Sequence, residues 1–190
     1  MSYFPTFLNF ENKKILIIGA GKVANDKLSH LLDFTNNITI ISPDMTPTIL
    51  GTIENNSLEF FQRKYLSGDI KGYDIVIAAV NDISLQEEIY FESRSERCLY
   101  NCVDIKKYCD FIFPSYIKKG DLTISISTQG SAPSFAKHLR IYLEKIIPNS
   151  VSEFLLEMKN YRSTLPKGKD RMKFLEEKTK SYFKNWKINE

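Results

Sequence analysis

Cysteine and histidine are scarce in this chain of 190 residues, and their scarcity removes several chemistries. The three cysteines, Cys98, Cys102 and Cys109, form no C-x-x-C pair, so neither a zinc ribbon nor a dithiol redox motif is written here. They read as reduced thiols acting as small apolar side chains. His30 and His138 are the only histidines, and no metal site is assigned. Long apolar runs are missing too: none approaches the roughly 18–20 residues of a membrane-spanning helix. The N-terminal MSYFPTFLNF lacks the basic segment and small-residue cleavage site of a secretory signal, and the chain is read as cytoplasmic. A formal net charge of +3 is too small to argue for nucleic acid, and arginines and aromatics do not interleave into a base-stacking platform. The charge is uneven, however. From Lys137 to Lys187, thirteen Lys/Arg stand against six Asp/Glu. Solvated helix faces are the default meaning of such a region, and an anionic small molecule is the more specific one.

The length suits one good core and a small appendage rather than two full-sized domains. Strands are expected at Lys13–Gly19, Asn37–Ser42, Leu58–Arg63, Asp74–Val80 and Leu99–Asp104. Helices are expected at about Gly21–Phe34 and Ser84–Glu96, the second with Ser84 as its N-cap. Strands alternating with helices imply an α/β, Rossmann-like, doubly wound parallel sheet. After Asp104 the pattern changes. Phe111–Ile117 and Leu122–Thr128 flank a turn containing Gly120, which reads as a hairpin. Helices follow at about Pro133–Ile147, Val151–Arg162 and Lys167–Trp186. The aromatics Phe154, Tyr161, Phe174, Tyr182, Phe183 and Trp186 read as the core of a small helical domain.

Gly19-Ala20-Gly21-Lys22-Val23-Ala24 is G-x-G-x-x-A, set directly after a strand and opening a helix. The first glycine permits the tight turn. The second lets a pyrophosphate approach the backbone, and Ala24 lets the helix pack close to the sheet. The helix N-terminus adds unpaired N–H groups and the positive end of its dipole. This context assigns dinucleotide binding. The second strand ends Ile41-Ser42-Pro43-Asp44, where Ser42 and Asp44 offer oxygens to a ribose. No Arg or Lys stands there for a 2′-phosphate, so NAD is favoured over NADP. In such sheets ligands bind beyond the carboxyl ends of the strands, the edge that Asn81 and Asp104 share with the glycine turn. Asp104 is thereby a candidate general base, with a plain turn aspartate as the competing reading.

Six segments carry a resemblance: FPTFLNF, GAGKVANDKL, IAAVND, NCVD, FIFPSYIKKGDLTISIST and GSAPSFAKHLR. Together they make the chain resemble the precorrin-2 dehydrogenase/sirohydrochlorin ferrochelatase family, which includes the N-terminal half of siroheme synthase. The resemblance implies a Rossmann domain (1–112), a strand-hairpin/helix dimerisation segment exchanged between subunits (113–148) and a small helical domain (149–190). It implies NAD-dependent oxidation of precorrin-2 to sirohydrochlorin in a homodimer, and in some members insertion of Fe2+. Asp104, in the N-x-V-D motif, is implicated in the chemistry, and Lys22, Val23, Pro43 and Asp44 stand near the cofactor. Two departures are visible. Val80 replaces a threonine after the fourth strand, and Thr128 stands where some members carry a serine linked to phosphorylation. The substrate is a polycarboxylate, which gives Lys118, Lys119, Arg140 and Arg162 a purpose as anchors, beside Thr128. The principal rival is an NAD(H)-sensing regulatory module, which shares the glycine turn but has no need of NCVD and the hairpin after it.

Overall fold

A computed structural model of the chain describes residues 3–184 and 186. The chain divides into two compact units, residues 1–113 and 114–190. The first carries β1 (Ile15–Ile18), α1 (Lys22–Leu32), β2 (Ile38–Ile41), α2 (Pro47–Asn55), β3 (Glu59–Phe61), β4 (Ile75–Ala78), α3 (Ile83–Glu96) and β5 (Leu99–Cys102). These strands form one sheet in the order β3-β2-β1-β4-β5, parallel throughout. The chain steps from β1 outward to β3, then crosses to β4 on the other side of β1. The order reverses there, and the crevice beyond the carboxyl ends of β1 and β4 is the fold's natural ligand position.

All four residues of β1, β2 and β4 are buried, as expected of strands covered on both faces. Ile15, Ile17, Ile38, Ile40 and Ile77 pack with Ala24, Leu28 and Leu31 of α1 and with Ile49 and Ile53 of α2. Leu16, Ile18, Val76 and Ala78 pack on the other face with Ile89 of α3 and with Tyr100.

One expectation is corrected, at the start of α3, and two further segments add to the expected elements. The sequence reading passed over α2, which Thr46 caps and Pro47 opens at the first turn, where a missing N–H costs nothing. The N-cap of α3 is Asp82, not Ser84: its carboxylate accepts the Leu85 N–H at 3.1 Å. The link from β3 to β4 is irregular. Its turns are tied by Arg63 bound to both oxygens of Asp69, at 2.6 and 2.9 Å, and by Glu92, which accepts from the Tyr65 hydroxyl and the Gly68 N–H.

The second unit holds the antiparallel hairpin β6 (Ser115–Lys119) and β7 (Leu122–Ile126), then α4 (Pro133–Ile146), α5 (Val151–Thr164) and α6 (Lys169–Lys184). Its core is small: Ile117, Ile147 and Val151 are buried, with Leu122, Ile124, Leu143, Ile146, Leu155 and Trp186 packed around them. The aromatics pair with one another. Phe154 stacks on Tyr182 at 4.1 Å and Phe183 on Trp186 at 4.9 Å, while Tyr161 meets Phe174 edge-on.

Candidate functional site

The glycine turn joins β1 to α1 at the point where the strand order reverses. Gly19 has φ +105°, and a Cβ there would lie 2.3 Å from the carbonyl oxygen of Ala79. The turn therefore sits hard against the end of β4. Gly21 is the N-cap of α1 and has extended backbone, and a Cβ added to it would meet nothing within 4 Å. The space above Gly21 is open. No side chain caps α1, so the amides of its first turn, at Lys22 and Val23, are not taken up from within the protein by a capping residue. Glycine at both places, open space over the second and an uncapped positive helix end fit a pyrophosphate.

Beyond β2, the Ser42 hydroxyl is buried and donates to the carbonyl oxygen of Asp44 at 2.6 Å. Its proton is spent on shaping the Ser42–Asp44 turn, and the oxygen is left to act as an acceptor. Pro43 and Asp44 are exposed beside it. Asn81 is exposed after β4, next to the capping Asp82.

Asp104 follows β5 on the same edge of the sheet. Its carboxylate oxygen Oδ2 accepts from Nε2 of Gln86 at 2.6 Å, and the same nitrogen donates to the carbonyl oxygen of Val80 at 2.7 Å. Gln86 is fully buried on α3, and the sequence reading did not single it out. A glutamine in a helix reads as surface, and no spacing rule picks it out. The loop carrying Asp104 is closed by its thiols. Cys102 and Cys109 face each other at 3.8 Å, and each sulfur also donates to a carbonyl oxygen of the loop, at 3.2 Å. Burial pushes the Cys102 thiol up to about 11. Cys102 is buried and Cys109 half-buried, and both are free thiols. Among the described residues, no group of three or more His, Cys, Asp or Glu is arranged to hold a metal ion.

Lys118, Thr128 and Arg140 belong to the second unit. Lys118 is exposed on β6. The Thr128 hydroxyl accepts the Ala132 N–H at 3.1 Å and so shapes the entry to α4. Arg140 pairs with Glu144 one turn along, at 2.6 Å. Lys119 has another task. It donates to the carbonyl oxygens of Glu144 and Ile147 and to Asn149, satisfying the carboxyl end of α4. The same unit contains an open cavity of about 1640 Å³, lined by Leu143, Phe154, Leu155, Trp186 and the basic Arg162 and Lys169 among others.

The family described as "Putative NAD(P)-binding" matches residues 6–115. The siroheme synthase of Neisseria meningitidis serogroup C is 31% identical over 153 residues, 80% of this chain and 32% of that protein. That of Zymomonas mobilis is 30% identical over 180 residues, 93% of this chain and 38% of that protein. The chain thus spans about a third of the length of the curated relatives it matches. The solved structure of SirC, precorrin-2 dehydrogenase, superimposes with a TM-score of 0.79 at 20% identity, covering 92% of this chain and 88% of the other. That likeness is one of fold. No helix among the described residues is long and apolar enough to cross a membrane.

Proposed function

The chain belongs to the NAD(P)-binding family, and from that premise we propose that it oxidises precorrin-2 to sirohydrochlorin with NAD, a step of siroheme synthesis. Relatives named siroheme synthase match it over 78 to 93% of its length, and SirC, precorrin-2 dehydrogenase, shares its fold. The observation that carries the reading is the position of Asp104. Its carboxylate is tied through Gln86 to Val80, on the strand end against which the glycine turn rests.

Gly19, Gly21, Lys22 and Val23 would hold the phosphates of the dinucleotide, and Ser42, Pro43, Asp44 and Asn81 the parts beyond them. The absence of Arg or Lys from Ser42–Asp44 favours NAD over its 2′-phosphorylated form. When bound, the cofactor supplies the hydride acceptor. Oxidation removes a hydride and a proton from the substrate and leaves a new double bond. Asp104 takes the proton. Lys118 and Arg140, with Thr128 near by in sequence, are the candidates for holding the ring's carboxylates.

Residues 113–148 would form the dimerisation segment of a cytoplasmic homodimer and 149–190 its helical domain. Fe2+ insertion is carried as a second activity of the same carboxylate, which would accept pyrrole N–H protons. The NAD(H)-sensing module is the alternative, and turnover separates the two.

The test is absorbance at the NADH band with purified precorrin-2 and NAD, followed by sirohydrochlorin with Fe2+ alone. Wild type should form NADH, and Asp104→Asn should lower kcat by about a hundredfold or more while binding NAD normally. An Asp104→Asn enzyme as fast as wild type would remove Asp104 from the chemistry. A wild-type protein that binds NAD and forms no NADH would favour the sensing module.

A further inference from the structure

A glutamine with no exposed surface is costly to bury unless its amide is fully hydrogen-bonded, and Gln86 meets that condition in an informative way. Nε2 donates to the carbonyl oxygen of Val80 at 2.7 Å and to Oδ2 of Asp104 at 2.6 Å. Oε1 faces the Asp104 N–H at 3.4 Å. The orientation of the amide is dictated by its neighbours. The Val80 carbonyl can only accept, so the NH2 end must point towards it, and its second hydrogen is left for the carboxylate. Gln86 is held from β5 as well, since the hydroxyl of the buried Tyr100 donates to its backbone oxygen at 2.7 Å.

We infer that Gln86 is the positioning residue of Asp104, fixing the carboxylate to the same strand end that supports the glycine turn. The inference rests on the reading of Asp104 as the base. Gly19 stands against Ala79, Val80 follows in the chain, Gln86 binds Val80, and the same amide nitrogen binds Asp104. One buried side chain thus spaces the base from the dinucleotide loop.

Several other titratable groups on the flanking elements have partners of their own. Asp82 caps α3, Glu87 accepts the Tyr108 hydroxyl, Asp110 binds Arg94, and Cys102 and Cys109 face each other. Lys106 and Lys107 lie on the single 3-10 turn that follows Asp104.

Two measurements test this. In 15N-labelled protein without substrate, the side-chain amide signals of Gln86 should follow one carboxyl titration, and that movement should vanish in Asp104→Asn. In turnover, Gln86→Glu should move the acid limb of the kcat/KM profile up by about one pH unit or more, because two facing carboxyls share a proton. Gln86→Met should lower kcat about tenfold or more with the KM for NAD nearly unchanged, as expected of a misplaced base. Amide signals that stay still across the carboxyl range overturn the inference, whether or not the variants fold. A folded Gln86→Glu enzyme with the wild-type profile overturns it too. If wild type turns over no precorrin-2, the functional reading fails instead, and the amide titration alone decides the pairing.

Discussion

A Cβ on Gly19 would lie 2.3 Å from the Ala79 oxygen, at a φ of +105° that side chains rarely adopt, whereas a Cβ on Gly21 would meet no protein atom within 4 Å. The two glycines of one motif therefore differ: the first answers to the fold, and the second, in the proposed function, to the ligand. Gly19→Ala should cost about 2 kcal/mol or more of stability, from strain and contact together. Gly21→Ala should melt with wild type and yet weaken NAD binding about tenfold or more, because its methyl fills the space a pyrophosphate needs. Thermal melts beside NAD titrations check both, and a Gly21→Ala protein with wild-type affinity would move the pyrophosphate elsewhere. The glycines and Asp104 were legible in the sequence because each has a fixed place relative to a strand end. Gln86 was not, since its significance comes from burial against Val80 and Asp104, which no local pattern records. Ser42 lies between these cases: its position could be read, but the commitment of its hydroxyl to the Asp44 carbonyl could not.

At the scale of elements, all five strands of the sheet could be read, most plainly β1 and β4, whose runs are wholly apolar and buried on both faces. The helix α2 is short, and its two inward residues, Ile49 and Ile53, make one contact stripe four residues apart, too little for periodicity to announce. Its Thr46-Pro47 start was the signal available. The β3–β4 link has no periodicity at all, and what orders it is charge. Arg63 donates to Asp69 and holds its carboxyl below the ordinary carboxylate range, against the opposing effect of partial burial; the Leu66 N–H adds to the lowering. A carboxyl depressed on folding stabilises above its unfolded pKa of about 3.9, and this contribution is lost as pH falls from there through the folded value. Asp69→Asn should therefore cost about 1 kcal/mol at neutral pH, kept modest because the Arg63 side chain is 39% exposed. The difference from wild type should close towards pH 3 and below. Urea unfolding at pH 7 and at pH 3 checks this, and an equal gap at both would assign the cost to shape rather than charge.

For the whole molecule, the two units differ in how much apolar surface each buries. The first buries apolar side chains on both faces of its sheet, whereas the second buries only five among its described residues, Ile117, Ala136, Ile147, Val151 and Leu175. A unit of that size with so few buried residues is marginal by itself. On α4 only Ala136 is buried, while Phe135 and Tyr142 are 62% and 58% exposed. Apolar side chains left on a helix in this way need a covering surface, and a second copy of the chain is the covering the proposed dimer supplies. Light scattering should then give twice the chain mass at micromolar concentration. Phe135→Glu combined with Tyr142→Glu should shift it towards the monomer, because each substitution would place a charge in a desolvated interface. The NAD affinity of the first unit should hold within about twofold, since its phosphate loop and its core lie wholly in residues 1–113. Precorrin-2 turnover should fall with the dimer. A doubly substituted protein that stays dimeric would move the interface off α4, and one that is monomeric and fully active would separate assembly from catalysis.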